Sequence, residues 1–64
     1  MNKTIDEQIA SAQREIQMRQ RVYPKWCHDG RMTQDEAAHE ITCMESVLRT
    51  LHEVRIKSLS VGQR

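Results

Sequence analysis

Apolar side chains recur at alternating intervals of four and three residues along two separate stretches of the chain, and this spacing leaves few folds open. In the first stretch the series is Ile5, Ile9, Ala12, Ile16, Arg19, Tyr23 and Trp26, with Arg19 the one polar member. In the second it is Ala37, Ile41, Met44, Leu48 and Leu51. Residues three and four apart share one face of an α-helix, so each stretch predicts an amphipathic helix with a heptad seam. Composition agrees: aromatic residues are 3% of the chain, Phe is absent, and there are only two Gly and one Pro. That profile belongs to helices and not to a sandwich or a barrel.

Each stretch begins with the same signal. Thr4-Ile5-Asp6-Glu7 and Thr33-Gln34-Asp35-Glu36 both read as capping boxes, in which the Thr hydroxyl accepts from the N–H three residues on and the Glu reaches back. Met32 and Ala37 stand where a hydrophobic staple would flank the second box. The acids of each first turn suit the helix dipole. Gly30 lies between the stretches and can take the left-handed conformation that ends a helix. The reading is one helix over about 5–29, a turn over 30–33, a second helix over about 34–59 and a frayed tail over 60–64. Pro24 has no N–H to donate and crowds the preceding turn. Helix 1 therefore either kinks there or stops near Val22, and a kinked continuous helix is the expectation.

Folding the chain back at the turn pairs residues whose numbers add to about 63, an antiparallel register for an αα-hairpin. Trp26 then faces Ala37, Tyr23 meets Ile41, Ile16 meets Leu48, Ala12 meets Leu51, Ile9 meets Val54 and Ile5 meets Leu59. Arg19 comes beside Met44, with Glu40 and Glu45 in reach. The charges alternate in the same sense: the stretch from Arg14 to Arg31 is mostly basic and that from Asp35 to Glu53 mostly acidic. Ion pairs between the two helices are the simple expectation, each stabilising by only about 0–1 kcal/mol.

One seam cannot cover everything apolar. Val47, Val54, Leu59 and Ala38 widen the stripe of helix 2, and Met18 and Val22 that of helix 1, as in helices with more than one neighbour. At 64 residues a lone hairpin is marginal, and oligomerisation is a usual remedy. The fold class expected is all-α: an antiparallel two-helix hairpin that dimerises into a four-helix bundle. The core and dimer contacts would come from Ile9, Ile16, Ile41, Met44, Val47, Leu48, Leu51 and Val54. A hairpin that spends the same stripe on a different protein is the competing arrangement.

No catalytic or cofactor constellation emerges. His39 and Cys43 have legitimate metal-ligand spacing, and Cys27 with His28 would complete a two-Cys, two-His set. The seam argues against that set, because it turns His39 and Cys43 outward and leaves Cys27 on another side of the hairpin; no metal is expected. Cys27 and His28 are sequence neighbours that do not face each other, and two helices enclose no pocket for a thiol nucleophile. Phosphate loops, HExxH and calcium loops are absent from the sequence. The expectation is a protein that is not an enzyme and has no cofactor.

Ten Lys plus Arg stand against nine Asp plus Glu, so net charge exerts little pull on nucleic acid or membrane. No apolar run nears the roughly 20 residues of a membrane span. No signal peptide is visible over Met1 to Asp6, and two cysteines make no disulfide framework. A cytoplasmic protein follows as the expectation. At the turn end, Arg19, Arg21, Tyr23, Lys25, Trp26 and Arg31 form a basic, aromatic tip. Tyr, Trp and Arg are enriched at binding hot spots, and base stacking on Tyr23 and Trp26 is the alternative use. The same aromatics can equally cap the core.

The run Arg14-Glu15-Ile16-Gln17-Met18-Arg19-Gln20-Arg21-Val22-Tyr23-Pro24-Lys25-Trp26, then Gly30-Arg31-Met32-Thr33, Ala37, Glu40-Ile41 and Met44-Glu45, resembles a family of small phage and prophage proteins. Their typical core reads R-E-I-x-M-R-x-R-V-Y-P-x-W, then G-R-M, then a helix with E-I-x-x-M-E. The resemblance covers about half the chain and implies an origin without an activity; Cys27 and His28 depart from the small or apolar residues more common there. Such a chain is expected to bind itself as a homodimer and to divert a host protein, as inhibitor or adaptor. A nucleic-acid-associated accessory role and a purely structural module are the alternatives.

Overall fold

The computed structural model describes residues 3–62, with side chains described as far as Ser58. It consists of two helices, α1 (Ile5–His28) and α2 (Gln34–Gly62), packed against each other. Together they form a rod of 53 × 20 × 17 Å. α1 continues through Pro24 without interruption. The carbonyl that Pro24 leaves without its helical donor belongs to Gln20, an exposed residue that water can satisfy. α2 runs on to Gly62, past the end expected at 59, because no Gly or Pro interrupts it before that residue. The tail expected to fray is thus helical in backbone from Ser60 to Gly62, and Gln63 and Arg64 lie outside the described residues.

The two helix starts differ in detail. At α1, Thr4 has extended backbone (φ −63°, ψ 158°) and its hydroxyl oxygen accepts from the Glu7 N–H at 3.2 Å. The same hydroxyl donates to the Glu7 carboxylate at 3.0 Å, so Glu7 meets the cap's side chain where a full box would have it meet the backbone. At α2 the box is complete: the Glu36 N–H donates to the Thr33 hydroxyl at 3.0 Å, and the Thr33 N–H donates to the Glu36 carboxylate at 2.9 Å.

That carboxylate is held below the ordinary glutamate range, first by the Thr33 N–H and then by its hydroxyl. A group whose pKa is depressed by folding contributes stability that is fully present above its unfolded value, about 4.3 for Glu, and lost as pH falls through the folded value. Carboxyl titration by NMR should place the Glu36 midpoint below that of an unstructured glutamate. Glu36→Gln should keep the cap but remove this part of the acid sensitivity, read as a smaller difference between melts at neutral and acidic pH. Equal acid sensitivity in both proteins would deny the box its charge-dependent role.

The turn is a Schellman closure. The Arg31 N–H donates to the Trp26 carbonyl at 2.9 Å and the Gly30 N–H to the Cys27 carbonyl at 3.2 Å. Gly30 stands at φ +75°, a region that costs an L side chain roughly 1–2 kcal/mol. Nothing lies within 4 Å of where a Cβ would be, so conformation and not crowding requires the glycine. The Arg31 guanidinium, 5.5 Å from the centre of the Trp26 ring, takes the place that an apolar contact often fills beside this motif.

The core is the α1 seam. Ile9, Ala12, Ile16 and Tyr23 are buried, joined from α2 by Ala37. The facing residues Ile41, Met44, Leu48 and Leu51 are only half-buried. Val54, expected opposite Ile9, is instead 46% exposed. Continuing the α2 series by four from Leu51 reaches Arg55, and it is Arg55 that closes the seam, its Nε 2.8 Å from Asp6 Oδ1. Leu59, expected against Ile5, lies outside the described side chains.

The charge pattern is realised differently from the expectation. Among the described residues, Asp6–Arg55 is the one ion pair between the helices; the others are Lys3–Glu7 and Glu15–Arg19 within α1 and the adjacent His28–Asp29. The basic stretch of α1 and the acidic stretch of α2 lie alongside each other without bridging. Exposed side chains gain too little from pairing to give up their freedom. Arg19 does cross, but to backbone: its Nη1 donates to the Glu40 carbonyl at 3.0 Å, while its Nε holds Glu15 at 2.8 Å. The bond to Glu15 raises the Arg19 pKa despite the opposing effect of burial, so this seam residue enters the hairpin as a cation. Glu45, expected within its reach, is not bonded to it.

Candidate interaction surface

The tip residues divide between core and surface. Tyr23 is buried and stacks on Trp26 with ring centroids 5.7 Å apart and planes inclined at 30°. The Arg19 guanidinium lies 5.9 Å from the Tyr23 ring centre. With Arg31 over Trp26 the four make a cation-and-ring ladder along one edge of the hairpin. Tyr23 and Arg19 are therefore committed to the fold, and Trp26 is half-covered. Arg21, Lys25 and Arg31 remain exposed. An open, mostly apolar trough of about 530 Å³ runs between the helices, lined by none of these three cations, floored by Tyr23, Ala37 and Ile41 and edged by Pro24 and Cys27. Residue spacing gave no sign of this trough, whose floor includes the small side chain of Ala37.

A second surface lies along α2. At about 100° per residue, Val47 and Val54 project well to one side of the line from Ile41 to Leu48. They are 45% and 46% exposed. Val47 also edges an open groove with Met44 and Leu51 from α2 and Ala12 and Glu15 from α1. Met18 and Val22, half-buried on α1, project by the same helical geometry toward this side. The apolar residues that exceed the seam are thus gathered largely on one flank. Ile56, the most exposed of the large aliphatics among the described side chains at 61%, projects to the opposite flank.

The third feature sits on the outer face of α2. His39 Nε2 and Cys43 Sγ are 3.5 Å apart, and Glu40 joins them, all three ligand atoms lying within 4.8 Å of one another. Cys27 and His28 take no part in this cluster; Cys27 lies at the edge of the tip trough. Both cysteines are free thiols. Sequence spacing pointed to His39 and Cys43, but Glu40 was missed, although it precedes Cys43 by three residues and so also lies one turn away on the same side.

These features define a class: an antiparallel helical hairpin whose second helix keeps an uncovered apolar flank. Among the described residues, no helix is long and apolar enough to cross a membrane. No protein-family profile, curated protein or solved structure matches the chain.

Proposed function

We propose that this chain is a small non-enzymatic binding protein of phage or prophage type. Two hairpins pair through the α2 flank into a four-helix bundle, and the assembly docks on a host protein in the host cytoplasm as an inhibitor or adaptor. The observation that carries this reading is the half-covered second helix, with Val47 and Val54 each nearly half exposed on one flank. A hairpin with so few buried side chains among those described gains most from a second helical layer. Gln20, His28 and Gln34 line the tip trough beside Tyr23, Ala37 and Ile41, polar contacts around an apolar centre.

The nucleic-acid reading draws on a specific feature of α1. Arg14, Arg21 and Lys25 fall on one helical face, and none is in an ion pair among the described residues. Capture from host lysate on the tagged protein, with and without nuclease, separates the two. A discrete host protein retained after nuclease treatment is the expected result. Retention that vanishes with nuclease, and weakens steeply with salt as phosphate contacts do, would replace the protein-binding reading with the nucleic-acid one.

A further inference from the structure

We propose that His39, Glu40 and Cys43 form a surface site for a thiophilic divalent cation of the zinc type, clipping one outer turn of α2. This inference does not rest on the binding reading, although Glu40 and Cys43 precede Val47 by seven and four residues and so border the flank proposed for pairing. Its basis is the geometry of the three groups. Cys43 follows Glu40 by three residues and His39 by four, so its sulfur lies one turn from both, between them in projection down the helix. The three donors are a thiolate, an imidazole and a carboxylate, the ligand types that zinc takes in proteins. For a tetrahedral ion with Zn–S of about 2.3 Å and Zn–N of about 2.0 Å, sulfur and nitrogen stand roughly 3.5 Å apart. The separation of Cys43 Sγ from His39 Nε2 is 3.5 Å.

The carboxylate completes the set with a small side-chain adjustment, since the ligand atoms already lie within 4.8 Å of one another. His39 and Cys43 are exposed and Glu40 is half-buried, so an ion reaches them without the hairpin opening, and water can take the fourth position. The same turn is tied to α1 through the Glu40 carbonyl and Arg19. An ion held at 39, 40 and 43 therefore stiffens the part of α2 that Arg19 grips, and binding to the folded chain raises its stability.

The test is cobalt titration of the full chain kept reduced with a phosphine, followed by a zinc melt. Cobalt should give tetrahedral visible bands and a near-ultraviolet thiolate charge-transfer band in the wild type and in Cys27→Ser. Both should be lost in Cys43→Ser and in His39→Ala, exposed positions where circular dichroism should show unchanged helicity. Glu40→Gln should weaken binding without abolishing the thiolate band. Zinc should raise the melting temperature of the wild type, reversibly with chelator, and leave Cys43→Ser unmoved. Absence of the charge-transfer band in Cys27→Ser, or its persistence in Cys43→Ser, would overturn the site and leave the 3.5 Å approach as a thiol–imidazole hydrogen bond. Unaltered affinity in Glu40→Gln would overturn the three-ligand assignment.

Discussion

Tyr23→Ala is expected to unfold the hairpin. Tyr23 is 7% exposed and the largest of the buried side chains. Truncating a buried aromatic to alanine costs about 3–5 kcal/mol. A chain this short has little more than that to lose, since folded domains are stable by roughly 5–15 kcal/mol and small ones sit at the low end. The substitution also removes the ring that stacks on Trp26 and underlies the Arg19 guanidinium, leaving that cation half-desolvated over a void. Urea denaturation followed by far-ultraviolet circular dichroism should show the helical signal lost or the midpoint greatly lowered. Tyr23→Phe is the informative companion. It keeps the ring, and the hydroxyl makes no hydrogen bond within the described residues, so a change below about 1 kcal/mol is expected. A Phe variant as unstable as the Ala variant would show that the hydroxyl, and not the ring, is what the fold needs.

The second large effect is on assembly. Val47→Glu with Val54→Glu should reduce the sedimenting mass to that of one chain. Both residues are already nearly half exposed in the single hairpin and neither is among its buried core, so the change removes little from that core. Across a bundle interface, however, four carboxylates would be buried without partners, at a cost of several kcal/mol each unless they take up protons. The double variant should also be less helical at low concentration, because the hairpin loses the layer that covers α2. Ile56→Glu supplies the control: Ile56 is more exposed than either valine but projects to the other flank, and its replacement should leave the mass unchanged. If Ile56→Glu dissociates the assembly and the valine pair does not, the interface is on the wrong flank in this proposal. A wild type that sediments as a single chain at all concentrations would remove the bundle altogether and leave the flank to a different protein.

Much of this protein follows from local rules that a sequence carries. The four-three spacing decided which side of α1 is buried, because helical geometry relates residue number to direction whatever lies opposite. The Thr-x-x-Glu signals marked both helix starts, since a cap is satisfied within four residues. Gly30 marked the turn, because a left-handed residue is needed to close a Schellman motif. Tertiary structure decided what depends on side chains from two helices at once. Tyr23 could have crowned an exposed tip or entered the core, and only the space left by Ala37 and Ile41 drew it in. Arg19 chose Glu15 and a backbone carbonyl over the acidic side chains of α2, a choice set by the depth at which its guanidinium lies. The complementary charge blocks implied cross-helix bridges, yet solvent competes so well for exposed ions that only Asp6 and Arg55 meet. Spacing puts Glu40 one turn from Cys43, but only the side-chain positions show its carboxylate within 4.8 Å of the other two donors.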